Sequence, residues 1–146
     1  MNSQNSKVIV ERSGLTAKVI LNRPEKRNSL DDQMIVDLRQ TIDSLSEDNE
    51  TKSVVITGAG GNFCSGLYLE YLNKISQFDI LQNKEDSLKF KELLCSIYNC
   101  KKPTIAMVSG YALAGGCGIA TACDLIIASD NSQFGYTEVK IGLFLR

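Results

Sequence analysis

Thr104-Ile105-Ala106-Met107-Val108-Ser109 runs directly into Gly110-Tyr111-Ala112-Leu113-Ala114-Gly115-Gly116. The first part is a short apolar run behind Pro103 and reads as a buried strand; the second carries three glycines and reads as a loop. The same theme stands upstream, where Ser53–Thr57 enters Gly58-Ala59-Gly60-Gly61. Before that strand, Met34, Ile35, Leu38, Ile42 and Leu45 recur at helical spacing. They predict an amphipathic helix over Asp31–Ser46, with Ser29 and Asp32 in the form of a capping box. Phe90, Leu93, Leu94, Ile97 and Tyr98 predict a second helix over Asp86–Tyr98, ended by Lys101-Lys102-Pro103. Apolar strands alternating with helices imply right-handed crossovers and parallel strands, hence an α/β fold. In such sheets the loops at the carboxyl ends of the strands build the site.

Outward from this centre, Val8–Glu11 and Ala17–Leu21 flank Ser13-Gly14 and predict a hairpin. Asn22–Asn28 is a polar turn in which Pro24 is expected to block any helix. Gly116–Cys123 reads as a short small-residue helix and Asp124–Ala128 as a further strand, while Gln77–Lys84 has the least ordered pattern. No repeat and no linker interrupts residues 1–146, which read as one domain.

The composition narrows the chemistry. There is no histidine, so Ser-His and Cys-His nucleophile pairs and His-containing zinc sites are excluded. Acid/base work falls to Asp, Glu, Lys, Tyr or Cys. A formal net charge of −1 gives no footprint for nucleic acid or an anionic membrane surface. The five cysteines are odd in number and contain no C-x-x-C pair, which suits reduced, mostly buried thiols. Met1–Ser6 is short and polar and no apolar run reaches the ~20 residues of a membrane span, so a cytoplasmic protein without membrane or nucleic-acid partner is expected.

The glycine loops fail as phosphate cradles. Phe63 stands where a dinucleotide fingerprint needs its last glycine, and Leu67-Tyr68 and Gly116-Cys117 stand where a P-loop needs Lys-Ser/Thr. Neither Ser65 nor Ser109 lies in a Gly-x-Ser-x-Gly elbow. Two facing loops of this kind can still present peptide N–H groups to a developing oxyanion. On spacing alone, plain turns and tight helix packing explain the same glycines.

Asn22-Arg23-Pro24-Glu25-Lys26-Arg27-Asn28-Ser29-Leu30 resembles the opening signature of the crotonase (enoyl-CoA hydratase/isomerase) superfamily. Asn62-Phe63-Cys64-Ser65-Gly66-Leu67-Tyr68-Leu69 resembles its first oxyanion loop, and Pro103–Cys117 the second. Ala122–Ala128 and Phe134–Leu143 continue the likeness in order, from about Val8 to Leu143. The resemblance implies a spiral of ββα units holding an acyl-CoA thioester. Backbone N–H groups of Leu67 and Gly115 fall on the oxyanion positions, and Glu138 on an acid/base glutamate. Lys26 and Asn28 fall on the segment beside the CoA nucleotide; Gly66, Leu67, Tyr68, Leu69, Glu70 and Gly116 would surround the thioester and acyl path. No cofactor and no metal is implied, since coenzyme A is part of the substrate.

The sequence departs from the family at named places. Hydratases of the family commonly use two glutamates, and the other one falls on Gly118, which has no side chain. Tyr68 stands for the usual Asp, and Leu67 for the usual Ala. Relatives continue beyond Ile141-Gly142-Leu143 with a proline- and glycine-containing loop and a helical region, whereas here Phe144-Leu145-Arg146 follows. A core lacking that C-terminal helical region is therefore expected, with the homotrimer or hexamer of the family in doubt and apolar surface exposed over Asp124–Ile141. The resemblance implies hydration of a 2-enoyl-CoA through an oxyanion-held enolate, with a single glutamate as acid and base. A double-bond isomerase and a non-catalytic CoA-thioester-binding remnant remain open, as does a purely structural module. Phe134, Val139 and Ile141 are the expected apolar walls of Glu138. Tyr68 and Tyr136 read as packed aromatics, Cys117 and Cys123 as small core residues, and the Glu70 and Asp124 carboxylates as surface or capping groups.

Overall fold

In Thr16–Leu21 every second side chain, Ala17, Val19 and Leu21, is fully buried, the mark of a strand with one face on a core. The computed structural model describes residues 6–141, and of Leu69, Leu72, Ile75, Lys140 and Ile141 the backbone alone. In chain order the elements are β1 (Val8–Ser13), β2 (Thr16–Leu21), α1 (Asp32–Glu47), β3 (Ser53–Gly58), α2 (Leu69–Ile75), α3 (Ile80–Tyr98), β4 (Thr104–Val108), β5 (Tyr111–Leu113), α4 (Gly115–Ala122), β6 (Leu125–Ala128) and β7 (Gln133–Gly135). Short 3-10 turns cover Pro24–Lys26, Ala59–Gly61 and Thr137–Ile141.

The hairpin expected at the start is present: β1 and β2 pair antiparallel, Val8 opposite Leu21. β2, β3, β4 and β6 then run parallel, giving a five-stranded sheet in the order β1-β2-β3-β4-β6. Parallel neighbours require crossovers: α1 joins β2 to β3, α2 and α3 join β3 to β4, and β5 with α4 joins β4 to β6. Met34, Ile35, Leu38, Ile42 and Leu45 of α1 and Leu93 and Ile97 of α3 bury against Val19, Leu21, Val54 and Ile56 of the sheet.

Four local expectations are corrected. The α1 cap is Asp31, whose carboxylate accepts from Met34 N–H at 2.9 Å; Ser29 lies in the extended segment before it. Pro24 does not exclude helix: it opens a 3-10 turn, a first position where its missing N–H costs nothing. Gln77–Lys84 is irregular only over Gln77–Asp79, because α3 begins at Ile80 behind an Asp79–Gln82 capping box. Lastly, Leu69–Ile75 is a helix that periodicity did not mark.

The β4–β5 loop and the segment after β3 are stitched together. Phe63 N–H donates to Ser109 O, Cys64 N–H to Tyr111 O, and Leu113 N–H back to Cys64 O, at 2.8, 2.8 and 2.9 Å. β5 also pairs with β7, so a second small layer carries both glycine loops and the strand leading to Glu138.

Candidate active site

Leu67 and Gly115 are brought together by their glycine-bearing loops. A Cβ built on Gly66, at φ +91°, would lie 2.6 Å from the Ala114 Cβ and 3.5 Å from the Gly115 nitrogen, so the two loops abut where a side chain has no room. Leu67 is held on either side: Leu30 N–H donates to Gly66 O and Tyr68 N–H to Leu30 O. Neither Leu67 N–H nor Gly115 N–H donates a hydrogen bond among the described residues. Gly115 is also the first residue of α4, so its N–H lies at the helix's positive end.

Backbone strain marks the same place. Ala114, with φ 52° and ψ −126°, occupies a region that L-residues rarely adopt. Its N–H donates to Gly135 O at 2.7 Å, which ties the strained peptide to β7. Gly116 is required by contact: a Cβ there would sit 2.3 Å from Cys64 O.

Glu138 follows Gly135 by three residues in the closing 3-10 turn, so its Cα is within roughly 11 Å of that strand end. It is half-buried, and its Oε2 atom is buried with no hydrogen-bond partner among the described residues. A buried carboxylate oxygen without a partner is unusual and costs stability, which fits an atom kept for a ligand or a reaction. The expected apolar walls are corrected: Phe134 and Val139 are exposed, and only the backbone of Ile141 is described. Gly142 and Leu143 lie outside the described residues.

The position of the second family glutamate faces α3. A Cβ on Gly118 would meet Phe90 Cζ at 3.7 Å and Leu94 at 3.8 Å, so this side of the site is apolar. Phe90 also lies over Gly115, 3.1 Å from where its Cβ would stand. Phe90 was legible in the sequence as a helix-face residue, but nothing there connected it with the glycine loop.

The remaining sequence candidates divide. Tyr68 directly follows Leu67, and its hydroxyl donates to Glu70 Oε1 at 2.7 Å. Lys26 reaches the same ring, with Nζ 5.3 Å from its centroid. Asn28 is placed differently from the reading that set it beside a nucleotide: it is fully buried and its amide is spent on backbone groups of neighbouring loops. Leu69 opens α2, and its side chain lies outside the described atoms. Tyr136 shares a hydrogen bond with Thr121. Asp124 accepts from the Thr104 N–H and hydroxyl, which hold its carboxyl below the usual range and tie the start of β4 to the end of α4.

Thiolate chemistry is absent from the first loop. Burial pushes the Cys64 thiol up to about 12, leaving it protonated and inert at neutral pH. Cys117 is buried as expected; Cys95 is exposed, against the expectation of mostly buried thiols. No helix among the described residues is long and apolar enough to cross a membrane. Chemically, these segments offer the unengaged N–H groups of Leu67 and Gly115, the carboxylate of Glu138 on the turn after β7, and an apolar wall at Phe90 and Leu94.

A family model described as enoyl-CoA hydratase/isomerase matches residues 11–145. The chain is 42% identical over 129 residues to a Thermus thermophilus protein, covering 88% of this chain and 51% of the relative. It is 37% identical over 142 residues to the short-chain-enoyl-CoA hydratase of Clostridium acetobutylicum, covering 93% and 51% respectively. Its fold superposes on a Legionella pneumophila crystal structure with a TM-score of 0.93 at 36% identity, covering 97% of this chain and 54% of that one. The chain thus spans about half the length of the relatives it matches.

Proposed function

The chain belongs to the enoyl-CoA hydratase/isomerase family, and from that premise we propose that it carries an acyl-CoA thioester site that hydrates a 2-enoyl-CoA with one carboxylate. The observation that carries this reading is the pair of unengaged N–H groups, Leu67 and Gly115, on loops in van der Waals contact. In this reading they receive the thioester oxygen and stabilise it as negative charge develops. Glu138 takes a proton from water while the oxygen of that water bonds to the β-carbon, and the electrons of the double bond move onto the thioester as an enolate. The same carboxyl then returns its proton to the α-carbon, so one water is added and Glu138 ends as it began. The orphaned Oε2 of Glu138 supports the role, being a buried acceptor with nothing yet to accept.

A second reading, a double-bond shift, is favoured by one observation. Gly118 faces Phe90 and Leu94, so the position of the second family glutamate carries no carboxylate to hold water. Glu138 would then move a proton between two carbons of the same enolate system.

Turnover of crotonyl-CoA and of a 3-enoyl-CoA in deuterated water tests both. Loss of the conjugated absorbance of crotonyl-CoA is expected for hydration. Its gain from the 3-enoyl substrate, without hydroxyacyl product, would replace hydration by isomerisation. Glu138→Gln is expected to lower either rate by about 10²-fold or more. Full turnover in that variant would remove Glu138 from the mechanism, and no reaction in folded wild-type protein would favour a CoA-binding remnant.

A further inference from the structure

Gly115 and Gly118 lie three residues apart in α4 and therefore share one face of that helix. One ring tip covers both positions. A Cβ on Gly115 would meet Phe90 Cζ at 3.1 Å; a Cβ on Gly118 would meet the same atom at 3.7 Å and both Leu94 methyls at 3.8 Å. The space that Gly118 leaves free is thus already in contact with the ring and with Leu94. Phe90 Cζ also lies within about 6 Å of the Gly115 nitrogen, because a Cβ is only about 2.5 Å from its own nitrogen. An oxygen accepting from that N–H at about 2.9 Å brings the first carbons of its acyl group within reach of the ring. The ring is anchored on both helices beside it. Phe90 is half-buried and packs on the core, and Asp86, one turn earlier on the same face of α3, accepts from the hydroxyl of buried Tyr71. Tyr71 belongs to α2, the helix that directly follows the Leu67 loop.

We propose that Phe90 determines which acyl groups the site accepts: its ring closes the α4 side of the site at Gly118 and restricts it to short acyl chains. This rests on the acyl-CoA reading above and deepens it by naming the substrate class. Gly118 and Phe90 act as a pair. The room that glycine frees is taken by the ring, so neither a carboxylate nor a long alkyl chain finds space along this face of α4. Each methylene buried against apolar surface tightens binding by about fourfold. A chain that the ring turns out into water gains none of that. Removing the ring would open an apolar niche between Leu94 and Gly118, beside the Gly115 N–H, and convert each further methylene into affinity.

Calorimetric titration with CoA, butyryl-CoA and octanoyl-CoA reads this role without relying on turnover. Wild-type protein is expected to bind butyryl-CoA more tightly than CoA, and octanoyl-CoA no more tightly than butyryl-CoA. In Phe90→Ala, octanoyl-CoA is expected to bind about tenfold or more tighter than butyryl-CoA. Phe90→Leu, which keeps an apolar side chain on the core, is expected to show a smaller gain of about threefold, and it carries the test if the alanine variant does not fold. Phe90→Ala/Gly118→Leu refills the niche from α4 and is expected to restore the wild-type pattern. A role confined to holding α3 on α4 would weaken all three ligands alike and leave the octanoyl-to-butyryl ratio unchanged. That unchanged ratio in the Phe90 variants, a tenfold octanoyl gain already present in wild type, or a gain that survives the refilling would overturn the role of Phe90 alone. Wild-type protein that binds none of the three ligands would overturn the acyl-CoA reading itself, and this inference with it.

Discussion

The Asn28 amide meets three backbone groups on separate stretches of chain. Its Oδ1 accepts from Arg23 N–H at 2.8 Å, and its Nδ2 donates to Ala59 O and Asn62 O at 2.8 and 2.6 Å. With Arg27 it also takes the left-handed conformation, which an asparagine tolerates better than most residues. Replacing it by alanine would strand three polar groups in a buried place. Asn28→Ala is expected to cost about 2–4 kcal/mol in urea unfolding, well beyond a surface substitution. A cost below about 0.5 kcal/mol would mean the loops are held by other contacts. Asp48 is a second residue with a definite role. The Thr51 hydroxyl, then Arg12 and the Glu50 N–H, bring its carboxyl down to about 2. Its folded value lies below its ordinary 3.8, so its contribution is present above about pH 4 and is lost as pH falls towards 2. Acid titration of Asp48→Asn should therefore show a shallower fall in stability over that window than wild type. Identical slopes would show that the cluster contributes nothing to folding. Glu138, with its orphaned Oε2, and Leu67 and Gly115, with their unengaged N–H groups, were singled out in the sequence because their motifs are local. The burial of Asn28 was not, since two of its three partners, Ala59 O and Asn62 O, lie more than 30 positions away.

At the scale of elements, the junction of α4 with the first glycine loop controls the site. Gly116 packs against Cys64 so closely that any Cβ would strike its carbonyl at 2.3 Å. Backbone on backbone cannot yield by a rotamer change, so α4 and the Leu67 loop must move apart. Gly116→Ala is expected to lower the melting temperature by several degrees and weaken CoA binding together, since the gap between the N–H donors widens. Unchanged CoA affinity in this variant would detach α4 from the site. Helix α1 was legible because its apolar stripe is continuous from Met34 to Leu45. The first half of α3 was not, for a physical reason: Ile80 is 86% exposed and Leu81 70%, so no buried face imposes a period there. Its readable signal was the Asp79–Gln82 box, which depends on hydrogen bonds rather than on hydrophobic spacing.

Among the described residues, the sheet of the whole molecule ends at β6, with no strand on its outer side. All four residues of β6 are exposed, Leu125 at 59% and Ile127 at 61%, and Met107, Phe134, Tyr136 and Val139 add apolar surface on neighbouring segments. An unpaired edge with apolar side chains on both faces is a template for association. In sedimentation experiments the isolated chain is expected to self-associate with rising concentration, and Ile127→Lys is expected to reduce this. A monomer throughout the micromolar range would show that the edge is benign. Apart from Met107, this exposed surface lies within Asp124–Ile141, where the sequence led it to be expected, in a chain about half the length of the relatives it matches.

By itself the sequence determined the alternation of strand, glycine loop and helix, the exclusion of histidine chemistry, and the family, because each is written in neighbouring residues or in ordered motifs. Tertiary structure alone decided which N–H groups remain unengaged, that Asn28 is buried, that Gly118 faces Phe90 and Leu94, and that Tyr68 gathers Arg23 and Lys26. Those facts depend on which distant backbone groups find partners and which side chains fill the space between them. Contacts across long separations are set when the sheet closes on its helices, and no local pattern carries them.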